Sequence, residues 1–174
     1  MVTLLERFTH DMARYWRHLL GAATSASVVV RTQPALAGGI DEESAYLLGL
    51  FHDVGLLVLA GQYEKEYTTA RHAANTSERP YYLVEPEVLG TDHGELGALI
   101  AMSWGLPENV VETIRVHHSA ASGDPDVRRR VDLVHLAESI CLCAALAETS
   151  PIVTRSTGAG SSTGSSSPPT TSIG

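Results

Sequence analysis

Apolar residues recur along this chain at three- and four-residue spacing and almost never in strict alternation, which predicts helices and no sheet. In the first stretch, about Leu4 to Val30, residues Leu5, Phe8, Met12, Tyr15, Leu19 and Ala22 or Ala23 form one stripe, with His18 beside it. Thr32 to Gly39 break the pattern. Asp41 suits the N-cap of a second helix that carries Ala45, Leu48, His52 and Leu56. A further helix is expected over Glu64 to Ala74, ended by Asn75-Thr76 and the Pro80 region. Asp92 with Glu95 three residues on reads as a capping box, opening a helix whose Gly94, Gly97, Ala98 and Ala101 permit close packing. Gly105 and Pro107 mark its end and the start of the next, which closes near His117-His118. A last helix begins after Asp124-Pro125 and reaches about Glu148, with Val127, Val131, Val134, Ala137, Ile140 and Ala144 on one side. The fold class expected is all-α, a bundle of five or six helices.

With 174 residues and 44% apolar composition, the chain fills one core, so residues 1–150 are expected to form a single domain. From about Thr154 the composition turns to Ser, Thr, Gly and Pro, which cannot bury enough apolar surface to offset ordering entropy. Residues 151–174 are therefore expected to be a disordered tail. The net charge of −8 argues against nonspecific attraction to nucleic acid or to an anionic membrane. Cys141 and Cys143, the only cysteines, lie two apart on different sides of a helix, an arrangement that offers neither a disulfide framework nor a metal knuckle. They read as small core residues of a reduced, cytoplasmic protein. The longest apolar run, around Leu47 to Ala60, is interrupted by His52 and Asp53, and no charged-then-apolar leader opens the chain, so neither a signal peptide nor a membrane span is expected.

Candidate chemistry lies in histidines and acids spread over several helices: His18, His52 with Asp53, His93, His117-His118 and Glu138. Imidazole nitrogens and carboxylate oxygens suit iron, manganese or zinc, and helical bundles place such ligands on facing helices. Neighbours such as His52 and Asp53 point about 100° apart on a helix, yet both reach a metal in a crevice if one arrives from each flank. The ordinary alternative for this pair is a buried histidine held by a carboxylate. For His93, His117 and above all His118 it is the capping of helix-end carbonyls. Trp16 and Trp104 read as packing residues, His135 as a neighbour of Glu138, and Arg128-Arg129-Arg130 as a solvated face.

Trp16-Arg17-His18, Gly49-Leu50-Phe51-His52-Asp53-Val54-Gly55, Thr91-Asp92-His93-Gly94-Glu95-Leu96-Gly97-Ala98, Trp104-Gly105-Leu106-Pro107 and His117-His118 follow one another in this order, with Glu87 shortly before Gly90. In that order and spacing they resemble the HDOD (HD-related output domain) family, a relative of HD phosphohydrolases and of HD-GYP cyclic-di-GMP phosphodiesterases. The resemblance covers about residues 8 to 147. It implies an HD-type bundle and a metal set of His18, His52, Asp53 and Glu138, with His93, His117 and His118 able to hold further metal. It also implies departures. Leu56 stands where HD enzymes commonly carry a Lys, Glu138 where they carry an Asp, and Ser119-Ala120-Ala121 where the Gly-Tyr-Pro signature follows. Asp132 would replace Glu138 only if the helix rotated. The family's additional N-terminal helical lobe is expected to be missing, making the chain a truncated product or an HD-like half.

The function implied is a regulatory module of bacterial-type signal transduction that acts through protein interaction rather than catalysis. Its expected partner is a signalling protein, such as a response regulator or sensor, and a second copy is the other occupant considered for any apolar surface left exposed. The competing reading is a metal-dependent phosphohydrolase or cyclic (di)nucleotide phosphodiesterase using iron, manganese or zinc.

Overall fold

The computed structural model describes residues 4–119 and 123–149, with side chains described over 12–119 and 123–144. The tail 151–174 and the side chains of Leu5, Phe8 and His10 lie outside the described residues. In order come α1 (Leu4–Thr32), α2 (Pro34–Ala37), α3 (Glu42–Phe51), α4 (Val54–Gln62), α5 (Glu64–Ser77), α6 (Tyr81–Leu89), α7 (His93–Ser103), α8 (Glu108–Val116) and α9 (Pro125–Thr149). The described residues contain no strand, and the all-α expectation holds. There are more helices than the five or six expected, because the second one is two, α6 had no signal strong enough to separate it from the Pro80 loop, and α2 is a single turn.

Local chemistry accounts for the ends. Asp41 caps α3 by accepting from the Ser44 backbone N–H at 2.8 Å, and Asp92 caps α7 by accepting from Glu95 N–H at 2.8 Å. Glu95 itself pairs with Arg115 on α8. Gly90, at φ 74°, closes α6 in the left-handed region.

Two apolar clusters build the core. One joins Ala26, Val29 and Val30 of α1 to Ala45 of α3 and to Leu133 and Ala137 of α9. The other joins Leu48 of α3, Ala98 and Ala101 of α7, Val110, Val111 and Ile114 of α8, and Val134 of α9. Together they clamp α3 between the two ends of the bundle. The buried residues of α9 stop at Ala137, so Ile140 and Ala144 are exposed, contrary to the stripe read from the sequence. Cys143 is exposed and Cys141 half-buried beside Gly21. A two-residue step turns the second cysteine away from α1, so neither is the core residue expected. Trp16 is likewise exposed at 45%, because the inward face of α1 is already taken by Tyr15 and Leu19. Trp104 is also largely exposed, touching Phe51 edge-on at the corner between α7 and α8.

The stretch Glu42–Gln62 is long and apolar enough to cross a membrane by length and composition. Here it is bent into α3 and α4, and Ala45, Leu48, Gly49, Val54, Gly55 and Leu59 are buried within the bundle.

Two close approaches bring the helices within ligand reach. A Cβ at Gly49 would stand 2.6 Å from the Ala23 Cα, so α1 and α3 cross backbone to backbone. A Cβ at Gly55 would press on the His93 carbonyl and lie 2.9 Å from the Gly97 nitrogen, so α4 meets α7 in the same way. Gly55→Ala is therefore expected to destabilise the fold by about 1–3 kcal/mol through overpacking. Thermal unfolding measures this, and an unchanged midpoint would mean that α4 and α7 have room to separate.

Candidate metal centre

The interruption between α3 and α4 falls at His52-Asp53. Asp53 leaves helical geometry at φ −103° and ψ 13°, and the Tyr15 hydroxyl on α1 donates to its carbonyl at 2.9 Å. The corner turns both side chains inward, which a continuous helix, as read from the sequence, would not do. All seven candidate residues meet around this corner. One donor atom each from His18, His52, Asp53 and Glu138 lie within 4.8 Å of one another, and so do those from Asp53, His93, His117 and His118.

Asp53 belongs to both groups through different oxygens. Its Oδ2 lies 3.4 Å from the Nε2 atoms of both His18 and His52, with Glu138 Oε1 3.4 Å from His52 and 3.9 Å from His18. Its Oδ1 lies 3.2 Å from His93 Nε2 and 3.4 Å from His117 Nε2. His118 Nε2 stands 2.9 Å from His93 Nε2. His118 thus turns into the cluster, with its ring stacked on Tyr82 at 4.5 Å, which favours the donor role over the capping alternative. Asp132 is exposed, so Glu138 is the α9 carboxylate at the centre. His135 reaches the His117 carbonyl, as a neighbour of the site rather than a member.

Three histidines are oriented by their other nitrogen. His52 Nδ1 lies 2.9 Å from the Gly49 carbonyl and His117 Nδ1 2.7 Å from the Ile114 carbonyl, three residues back on their own helices. His93 Nδ1 lies 2.5 Å from Glu85 Oε2. Each carbonyl or carboxylate requires a proton on Nδ1, which leaves Nε2 as the inward donor atom. Glu85, wholly buried on α6, was missed from the sequence. Its only mark in the sequence is a lone acid in the apolar run Tyr-Tyr-Leu-Val-Glu-Pro, while Glu87, the acid nearer Gly90, is exposed and pairs with Arg79 at 2.7 Å.

These residues fit a divalent metal. Asp53 Oδ1 is buried without an aligned hydrogen bond despite two imidazoles close by, so it is a carboxylate oxygen still owed a partner. Converging imidazole nitrogens with carboxylates are a transition-metal donor set.

Without metal, protons balance the charge. Burial disfavours the His52 imidazolium, but Asp53 and Glu138 outweigh it and raise the imidazole to about 10. Burial also opposes charge on His93, and Asp53 and Glu85 raise it to about 9. Asp53 is driven up by burial but held well below its usual range by the charge on His52 and by the surrounding imidazoles. His118 goes the other way, to about 3, through burial and the charges at His117 and His93.

His52 and His93 are raised above 6.5, so the folded chain keeps protons that the unfolded chain releases. Their stabilisation is full below about pH 6.5 and is lost as the pH climbs through about 9 and 10. Metal-free protein is therefore expected to melt at progressively lower temperature from about pH 7 upward. A flat Tm profile over that range would contradict the charge balance.

An all-helical bundle closed around a histidine and carboxylate centre is the class of protein that this geometry defines. The HDOD domain profile matches residues 2–120, and the chain belongs to the HDOD family. It is similar to an HDOD domain protein of unknown function from Geobacter sulfurreducens, at 27% identity and TM-score 0.65, over 75% of this chain and 43% of that one. It is also similar to the MmoQ response regulator from Methylococcus capsulatus, at 27% identity and TM-score 0.65, over 81% of this chain and 54% of that one. An uncharacterized Treponema pallidum protein is 27% identical over 93 residues, which are 53% of this chain and 18% of that one. The chain thus spans about half the length of these solved structures and under a fifth of the Treponema protein.

Proposed function

We propose that this chain is a regulatory module of signal transduction that holds divalent metal around Asp53 and acts by contacting a signalling protein rather than by catalysis. One observation carries the reading: the donors come from α1, the α3–α4 corner, α7, α8 and α9, and all converge on a single carboxylate. Metal held there ties five parts of the bundle together, so occupancy biases their arrangement and hence the surface shown to a partner. The similarity to a response regulator supports the signalling context. Leu56 supports the non-catalytic part, since it places an apolar side chain three residues after Asp53 where a phosphate-binding enzyme benefits from a cation. The cytoplasm is the compartment proposed, in keeping with two unpaired cysteines.

His18, His52, Asp53 and Glu138 would hold an outer ion, and Asp53, His93, His117 and His118 an inner one. When bound, such a metal supplies Lewis acidity toward water or a phosphate ester. A second reading, phosphoester hydrolysis, is favoured by the exposure of the outer group: the His18 and Glu138 side chains are 37% and 26% open to solvent. A substrate oxygen has a way in from that side.

Protein purified without chelator is expected to carry stoichiometric iron, manganese or zinc, to lose most of it in His52→Ala, and to show no phosphodiesterase turnover. Turnover that disappears in His52→Ala would replace the regulatory reading by the enzymatic one. Failure to take up any of the three metals would remove metal from both. Because His52 is protonated at neutral pH in the metal-free protein, uptake should release protons and strengthen as pH rises. Calorimetry in buffers of different ionisation enthalpy measures that release, and none would mean the ion binds elsewhere.

A further inference from the structure

Behind the inner donor group lies a buried acidic residue that belongs to neither donor set. Glu85 is wholly buried on α6, and its Oε2 accepts from His93 twice, at 2.5 Å from Nδ1 and 3.2 Å from the backbone N–H. The backbone contact matters because His93 is the first residue of α7, where an amide lacks a partner within the helix. One carboxylate oxygen therefore fixes both the start of the helix and the orientation of its imidazole. The other oxygen, Oε1, is buried without a partner, as is the Tyr81 hydroxyl one turn earlier on α6. Burial and then the Glu85 charge raise the Tyr81 pKa, keeping the phenol protonated beside the carboxylate. Tyr81 also stacks on His93, with ring planes 18° apart. Arg71 of α5 lies 5.6 Å above the Tyr81 ring.

We propose that Glu85 is a positioning residue for the inner site: by holding the Nδ1 proton of His93 it aims Nε2 at Asp53, His117 and His118 and makes the inner site bind metal more tightly than the outer one. The part concerning affinity rests on the metal reading above. In the outer group the oriented imidazole is His52, whose Nδ1 faces the neutral backbone carbonyl of Gly49 rather than a carboxylate, and the His18 ring is partly open to solvent. A carboxylate on the far nitrogen orients a ligating imidazole and strengthens it as a donor, and losing such a partner costs metal affinity about 10- to 100-fold.

The test compares wild type with Glu85→Leu and the near-isosteric Glu85→Gln, whose side-chain carbonyl still accepts from Nδ1–H. In metal-free protein, proton NMR is expected to show a protected, far-downfield His93 Hδ1 signal in wild type, retained in Glu85→Gln and absent from Glu85→Leu. Zinc titration is expected to resolve two affinities in wild type, with the tighter one weakened about 10- to 100-fold in Glu85→Leu, largely restored in Glu85→Gln, and the weaker one unchanged. A His18→Ala control, which removes the outer site, identifies which affinity is which. A purely structural role would lower the melting temperature and leave the ratio of the two affinities alone, and that outcome overturns the proposal. So does an Hδ1 signal that survives in Glu85→Leu. If wild type binds no zinc while the signal behaves as stated, the metal reading fails and the positioning of His93 by Glu85 stands.

Discussion

The Asp53 carboxylate shows one oxygen to His18 and His52 and the other to His93 and His117, and the bundle is arranged so that it can. A carboxylate taken out of water needs either countercharge or hydrogen-bond donors on every side. Imidazoles supply both, from helices that the two apolar clusters already hold together. Around Asp53 the histidines are close enough that they cannot all be charged at once. The raised values of His52 and His93 beside the lowered value of His118 are the same constraint seen from both directions. The centre is balanced rather than neutral.

Such a cluster adds little net stability in itself, because desolvation offsets most of the attraction. Its value lies in specifying geometry. The stabilising burial is provided by the two apolar clusters on either side of α3, which hold Leu48 and its neighbours whether or not the site is filled. This separation suits a regulated module. On the reading proposed above, the core would keep the chain folded while occupancy of the centre would bias how the helices meet.

Much of the site was legible in one dimension. Seven residues of the right chemistry, set in motifs whose order resembles the HDOD pattern, were named from the sequence, and all seven converge. The helical class, the Asp41 and Asp92 caps and the start of the last helix followed from periodicity and capping chemistry, which act within a turn or two of chain. Glu85 was missed, and His118 was left between a cap and a ligand, for the opposite reason. A histidine after a helix is ordinarily a cap, and an acid in a short apolar helix carries no mark of what it will face. Only the stacking of Tyr82 on His118, and the approach of α6 to the start of α7, decide those roles.

The sequence by itself determined which segments are helical and which residues offer metal-ligand chemistry, because both depend on side-chain type and near-neighbour spacing. The tertiary structure decided that α3 and α4 part at His52-Asp53, that one carboxylate serves two donor groups, and that Trp16 and Cys143 face outward. These outcomes depend on how closely backbones approach at Gly49 and Gly55, a distance set by contacts between residues far apart in the chain. Spacing along one helix cannot encode it.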